Sequence, residues 1–89
     1  MLTLPATLTQ SLASACLAAQ LPALRSENGD TVQVDASALS QFDSSALAVL
    51  LAFRRDALAL GKGFAVVGLP PRLANLAVLY GIDGLLPQA

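Results

Sequence analysis

Between Thr31 and Gly68 the hydrophobic period of the chain changes twice. Thr31-Val32-Gln33-Val34-Asp35 alternates, so Val32 and Val34 point to one side of a strand and Gln33 to the other. From Ser44 to about Leu60 the period is helical. At about 100° per residue, Ala46, Val49, Leu50, Phe53, Ala57 and Leu60 face one way and form a complete core stripe. Gly61-Lys62-Gly63 stops that helix. Phe64-Ala65-Val66-Val67-Gly68 follows as a nearly continuous apolar strand, of the kind covered on both faces. A strand, a crossover helix and a second strand joined by short linkers imply parallel pairing.

The flanking segments extend this pattern. Leu2, Thr3 and Leu4 alternate as a short strand that begins at the start of the chain, and Pro5 limits it to an edge or an end. Thr9 is placed to cap a helix over Gln10 to Leu21, with Leu12, Ala15, Cys16 and Ala19 on one face. Pro22 is expected to end or kink that helix, because it cannot continue the hydrogen-bond ladder. The polar run from Arg25 to Asp30 is a turn in which Gly29 is free to take a positive φ. Ala36 to Phe42 reads as a connection whose Leu39 and Phe42 plug the core. Pro70-Pro71 opens a last helix with Leu73, Leu76, Ala77 and Tyr80 on its inner face, and Gly81 closes it. Ile82 to Leu86 is expected to fold back as a helical turn over the sheet edge. Strand and helix thus alternate three times. The fold class is α/β, a small mostly parallel sheet with helices packed on it, and the 89 residues fit one domain, 1–89.

Composition narrows the function. The chain is 55% hydrophobic and only 12% charged, against roughly 25% charged in an ordinary domain. So small a chain can hardly bury that much apolar surface alone, which points to a face covered by a partner; a plain Ala/Leu-rich core is the competing reading. The net charge of -1 removes the electrostatic term on which nucleic-acid binding depends. Arg54 and Arg55 are the only basic pair and read as a solvated helix face, so no patch suits an anionic membrane surface. The single Cys16 cannot form an intramolecular disulfide, which fits a reducing compartment. Leu12-Ala13-Ser14-Ala15-Cys16 loosely resembles a lipoprotein cleavage site. It lacks a basic leading region, however, and polar residues interrupt the segment before it. No uncharged apolar run approaches the ~20 residues that span a bilayer. The expectation is a soluble, cytoplasmic protein without direct membrane insertion.

Enzyme chemistry finds little footing. Histidine is absent, Cys16 lies in an apolar helix, and the acids recur at no spacing that suggests a dyad or a metal site. Gly61-Lys62-Gly63 lacks the ending of a phosphate-binding loop. No catalytic residue, metal or cofactor is expected. Attention falls instead on Asp43-Ser44-Ser45-Ala46-Leu47, where an extended segment meets the apolar helix. Helix starts leave backbone N–H groups without partners, and a short polar side chain there either caps the helix or meets another molecule. Leu47, Leu51 and Leu58 widen the apolar arc of the helix, either to pack on a neighbouring helix or to form a docking face. Ser44, Ala48, Ala52 and Arg55 occupy the next strip, where small side chains would let another protein approach closely.

Val32-Gln33-Val34-Asp35, Leu39, and Phe42-Asp43-Ser44-Ser45-Ala46-Leu47 before an apolar helix together resemble the signature of STAS domains. That family includes anti-sigma-factor antagonists, the cytoplasmic domains of sulfate transporters, and the MlaB-type subunits of bacterial phospholipid transporters. Its motif is Asp-Ser/Thr-Ser/Ala/Gly-Gly-Leu; here Ala46 stands where glycine is usual, which bears on contacts that exploit a bare backbone. Pro70-Pro71-Arg72-Leu73 and Leu76-Ala77-Val78-Leu79-Tyr80-Gly81-Ile82 are similar to the third helix of the MlaB-like members. Most relatives carry a further strand ahead of Leu2, so a minimal version with a shortened sheet edge is expected.

The resemblance implies a non-enzymatic STAS subunit on the cytoplasmic side of the inner membrane. It would be bound to the MlaF-like ATPase of an ABC transporter, beside a permease and an MCE protein, and would support phospholipid transport and outer-membrane lipid asymmetry. It places Ser44 at the partner contact with Asp43, Ser45, Leu47, Ala48 and Leu51 around it. The alternative it offers is an anti-sigma-factor antagonist that a kinase-type anti-sigma factor phosphorylates at Ser44.

Overall fold

The structure, a computed structural model, describes residues 1–88. Among them the order is β1 (Leu2–Thr3), β2 (Thr7–Leu8), α1 (Gln10–Arg25), β3 (Thr31–Asp35), β4 (Gln41–Phe42), α2 (Ser45–Ala59), β5 (Gly63–Val67) and α3 (Pro71–Leu79), then a 3₁₀ turn over Asp83–Leu85. The main sheet has the order β1-β3-β5 and is parallel throughout. Register places Leu2 opposite Val34, Val32 opposite Phe64 and Val34 opposite Val66, so one face carries only apolar side chains. All five are buried.

The opposite face carries Thr3, Gln33, Ala65 and Val67, which are exposed or half-buried. The expectation that β5 is covered on both faces is therefore corrected. The sheet grows in one direction from β1 to β3 to β5, and right-handed crossovers that advance in one direction put their helices on one side. α1 and α2 accordingly pack on each other over the same face.

α2 buries its stripe as the period requires: Ala46, Val49, Leu50, Phe53 and Ala57 are wholly enclosed. Leu60 is not part of it, being 47% exposed as the residue that closes the helix. α1 departs further from expectation. It continues through Pro22 to Arg25, and its inner side is Ala13, Leu17, Leu21 and Leu24, with Cys16 beside them. Of the expected face, Leu12 is 41% exposed and Ala15 and Ala19 are also at the surface. Leucines bury far more apolar area than alanines, at about 25 cal/mol per Å², so the leucine-bearing stripe turns inward. Leu24, fully enclosed, holds the last turn to the core beyond the proline, whose ring is on the exposed side.

In α3, Leu73 and Ala77 are buried and Leu76 is half-buried as expected, but Tyr80 is 56% exposed. The helix ends at Leu79, and Gly81 at φ 72° turns the chain so that the Ile82 N–H donates to the Ala77 carbonyl at 2.9 Å. Ile82 then packs where Tyr80 was expected, the usual apolar contact of a left-handed helix stop. After the 3₁₀ turn Leu86 enters the core, and the Val66 N–H donates to the Pro87 carbonyl at 2.8 Å. The tail thus covers the β5 edge, as the turn over Ile82 to Leu86 predicts, although extended residues beyond it complete the cover.

Candidate functional site

Two short strands that the sequence pattern does not reveal build the site. β2 and β4 pair in parallel, Thr7 opposite Gln41 and Leu8 opposite Phe42. Each leads almost directly into a helix, β2 through Thr9 into α1 and β4 through Asp43 and Ser44 into α2. The two helices therefore start side by side, with the partial positive charges of both N-termini close together. Neither first turn contains an acidic residue of its own.

Asp43 supplies the missing charge. Its Oδ1 accepts from the Ser45 N–H at 2.8 Å, and its Oδ2 accepts from the Gln10 N–H at 3.1 Å. These two amides, that of Ser45 first, hold its carboxyl below the ordinary aspartate range. Thr9 precedes α1 in extended backbone but makes no side-chain cap; its hydroxyl lies 3.2 Å from that of Ser11.

Ser44 precedes α2 with helical backbone angles, φ −62° and ψ −15°, and likewise makes no side-chain cap. The capping role open to Ser44 in the sequence falls to Asp43. The other early amides of α2 are also occupied. Ala46 N–H donates to the Asp43 carbonyl at 3.1 Å, and Leu47 and Ala48 N–H donate to the Ser44 carbonyl at 3.1 and 3.4 Å. The Ser44 side chain is exposed at the surface and plays no part in closing the helix start.

The remaining expected contact residues separate. Ala48 is exposed, Leu51 is half-buried, and Ser45 is half-buried with its amide held by Asp43. Leu47 is corrected: at 2% exposure it belongs to the core and offers no docking area. Packing is thus the reading realised at Leu47, whereas Leu51 is half-buried and Leu58 is 47% exposed, so the flank divides between the two readings. Ser44, Ala48, Leu51 and Arg55, at spacings of four, three and four, form the outward strip, with Ala52 half-buried beside it. Ala46 is wholly buried, so its methyl group points into the core and leaves the outer surface unchanged from a glycine there.

Arg72 was not foreseen. At the first turn of α3, its guanidinium carbon stands 5.2 Å from the centre of the Phe42 ring, next to Asp43 in sequence, and pins α3 to the end of β4. Arginine close after a helix-opening Pro-Pro was the available signal, but nothing in the sequence names its partner. Cys16 is half-buried in α1, and burial pushes its thiol up, away from the reactive thiolate.

The family model described as "Mlab, STAS domain" matches residues 1–87. The chain belongs to the STAS domain family. No curated protein matches it. STAS domains are in general non-enzymatic binding and regulatory domains, and the small α/β fold with its parallel sheet is consistent with theirs. In this STAS domain the family's Asp-Ser-Ser motif divides its work, since Asp43 holds the helix starts while Ser44 faces outward. No helix among the described residues is long and apolar enough to cross a membrane.

Proposed function

We propose that this STAS domain is the non-enzymatic subunit that binds the MlaF-like ATPase of a bacterial phospholipid ABC transporter. The ATPase would work with its permease and MCE protein, and the subunit would support the assembly or activity of the complex at the cytoplasmic side of the inner membrane. The observation that carries this reading is the family match, whose description is of the Mlab type and spans nearly the whole chain. The strip of Ser44, Ala48, Leu51 and Arg55 gives it a physical route, because small and half-buried side chains let a partner helix or loop come close. Coexpression with the transporter ATPase tests it. The wild-type domain copurifies, and Ser44→Asp, which puts an uncompensated charge into a close contact, lowers binding at least about tenfold, or ~1.4 kcal/mol, with an unchanged circular dichroism spectrum. Copurification of Ser44→Asp at wild-type yield would remove Ser44 from the contact.

The exposed Ser44 side chain favours a second reading, an anti-sigma-factor antagonist switched by a kinase-type partner. The amides of Ser45 to Ala48 in the first turn of α2 are already bonded, so a phosphate on Ser44 does not enter that turn without breaking a bond and remains displayed to the partner. Incubation with such a kinase and ATP is then expected to add the mass of one phosphate at Ser44. An unmodified mass speaks against switching and leaves the transporter reading standing.

A further inference from the structure

We propose that Asp43 is a positioning residue that locks the start of α1 to the start of α2, so that a change of charge at Ser44 is transmitted to Gln10 in the neighbouring helix. The inference concerns the domain itself and does not depend on which partner it binds. Its basis is that one carboxylate serves two helices. Oδ1 takes the Ser45 N–H and Oδ2 takes the Gln10 N–H, across 33 positions of sequence.

The pairing of β2 with β4 makes this geometry possible, since it delivers both chains to adjacent helix starts in the same register. No substitute is at hand within the helices. Both first turns lack acids, and neither Thr9 nor Ser44 caps with its side chain. Arg72, the charged side chain at the start of the remaining helix, is engaged over the Phe42 ring and forms no ion pair with Asp43 among the described residues. The lowering at Asp43 comes first from the Ser45 and Gln10 amides and less from the Ser45 hydroxyl, with no ionic neighbour among the causes.

A negative charge placed on Ser44, immediately beside Asp43, repels the carboxylate. The bond to Gln10 is the longer of the two and runs between elements, so it yields first, whereas the bond to Ser45 is local to the turn. The state of Ser44 is thereby registered on α1, at a place a partner on the Ser44 strip need not touch.

Backbone amide NMR of the whole chain at neutral pH tests the proposal. In Ser44→Asp the Gln10 amide resonance is expected to move by more than its line width, while uncharged Ser44→Asn leaves it in place. In the Asp43→Asn background, Ser44→Asp no longer moves Gln10. Titration of the wild-type chain into acid gives an independent reading, in which the Gln10 and Ser45 amides shift together with one midpoint below that of an ordinary aspartate. A Gln10 resonance indifferent to Ser44→Asp, or moved equally by Ser44→Asn, overturns the transmission. Separate midpoints for Gln10 and Ser45 overturn the shared carboxylate.

Discussion

Asp43→Asn keeps the shape of the side chain and removes the charge that faces two helix starts, and the sign of its effect on stability follows from the amide bonds. In the unfolded chain an aspartate titrates near about 3.9; in the fold the Ser45 and Gln10 amides hold Asp43 lower. A carboxyl depressed in the folded state contributes stability above its unfolded value, and that contribution is lost as pH falls through the folded value. Wild type is therefore expected to exceed Asp43→Asn in unfolding free energy at neutral pH, and the gap is expected to close below about pH 4. Urea unfolding of both proteins over a pH series measures it. The difference is the quantity to follow, because Asp35, held low first by the Ser37 hydroxyl and then by its amide, contributes with the same sign in both proteins. Gly68 gives a second test at this scale. Its φ is 68°, and a Cβ built there would stand 2.7 Å from the Cβ of Ser37, the residue that Asp35 holds. Gly68→Ala is expected to cost about 1–2 kcal/mol for the left-handed backbone and about 1–3 kcal/mol more for the crowding. The midpoint of urea unfolding reports the sum.

α1 contains the clearest tension between local preference and packing. Pro22 sits inside the helix, removes one donor and leaves the Ala18 carbonyl without its helical partner, yet the helix runs on to Arg25. The enclosed Leu24 and the Arg25–Asp56 ion pair at 3.6 Å hold the turn beyond it. Proline is about 3 kcal/mol less favourable than alanine in a helix interior, so Pro22→Ala is expected to stabilise by up to that amount. An unchanged midpoint in urea would mean that the last turn of α1 contributes little to the cooperative fold. The same helix shows why some of the fold is legible in the sequence and some is not. β3 and α2 are legible because each has one apolar stripe with one period, whereas β5 is legible as a strand but its unbroken apolar run does not tell which face is covered. α1 offers two, Leu12-Ala15-Cys16-Ala19 and Ala13-Leu17-Leu21-Leu24, and periodicity alone does not choose between them; buried area does. Two-residue strands carry no period at all, so the β2–β4 pairing stays hidden, and with it the bond from Gln10 to Asp43. The Asp43-Ser44-Ser45 segment stands out in sequence as a helix start, but which of its side chains caps the helix and which is left at the surface depends on that hidden pairing. Leu47 and Tyr80 exchange expected places for a related reason. Each lies at the border of a stripe, where the neighbouring helix or the next turn decides.

Across the whole molecule, the apolar excess of the chain has to go somewhere. The radius of gyration, 11.8 Å, is close to the about 12 Å expected of a compact domain of this length, so loose packing does not account for the leucines at the surface. Leu12, Leu58 and Leu60 lie apart, and the exposed apolar run is at the end of α3, where Val78, Leu79 and Tyr80 follow one another and Leu79 is 75% exposed. Side chains this exposed contribute little to the core. The double substitution Val78→Ser and Leu79→Glu is therefore expected to shift unfolding free energy by no more than about 1 kcal/mol, roughly two ordinary surface changes. It is also expected to lower the binding of a hydrophobic dye such as ANS and to raise solubility, because it removes two exposed apolar side chains. Calorimetry and dye fluorescence on the same samples separate the two ways of placing the surplus. Loss of dye binding with a retained unfolding midpoint puts these side chains on the surface. Burying a single Leu or Val side chain is worth about 1.5–3 kcal/mol. A loss of stability of that size would instead assign the end of α3 to the core and leave the surface surplus to Leu12, Leu58 and Leu60.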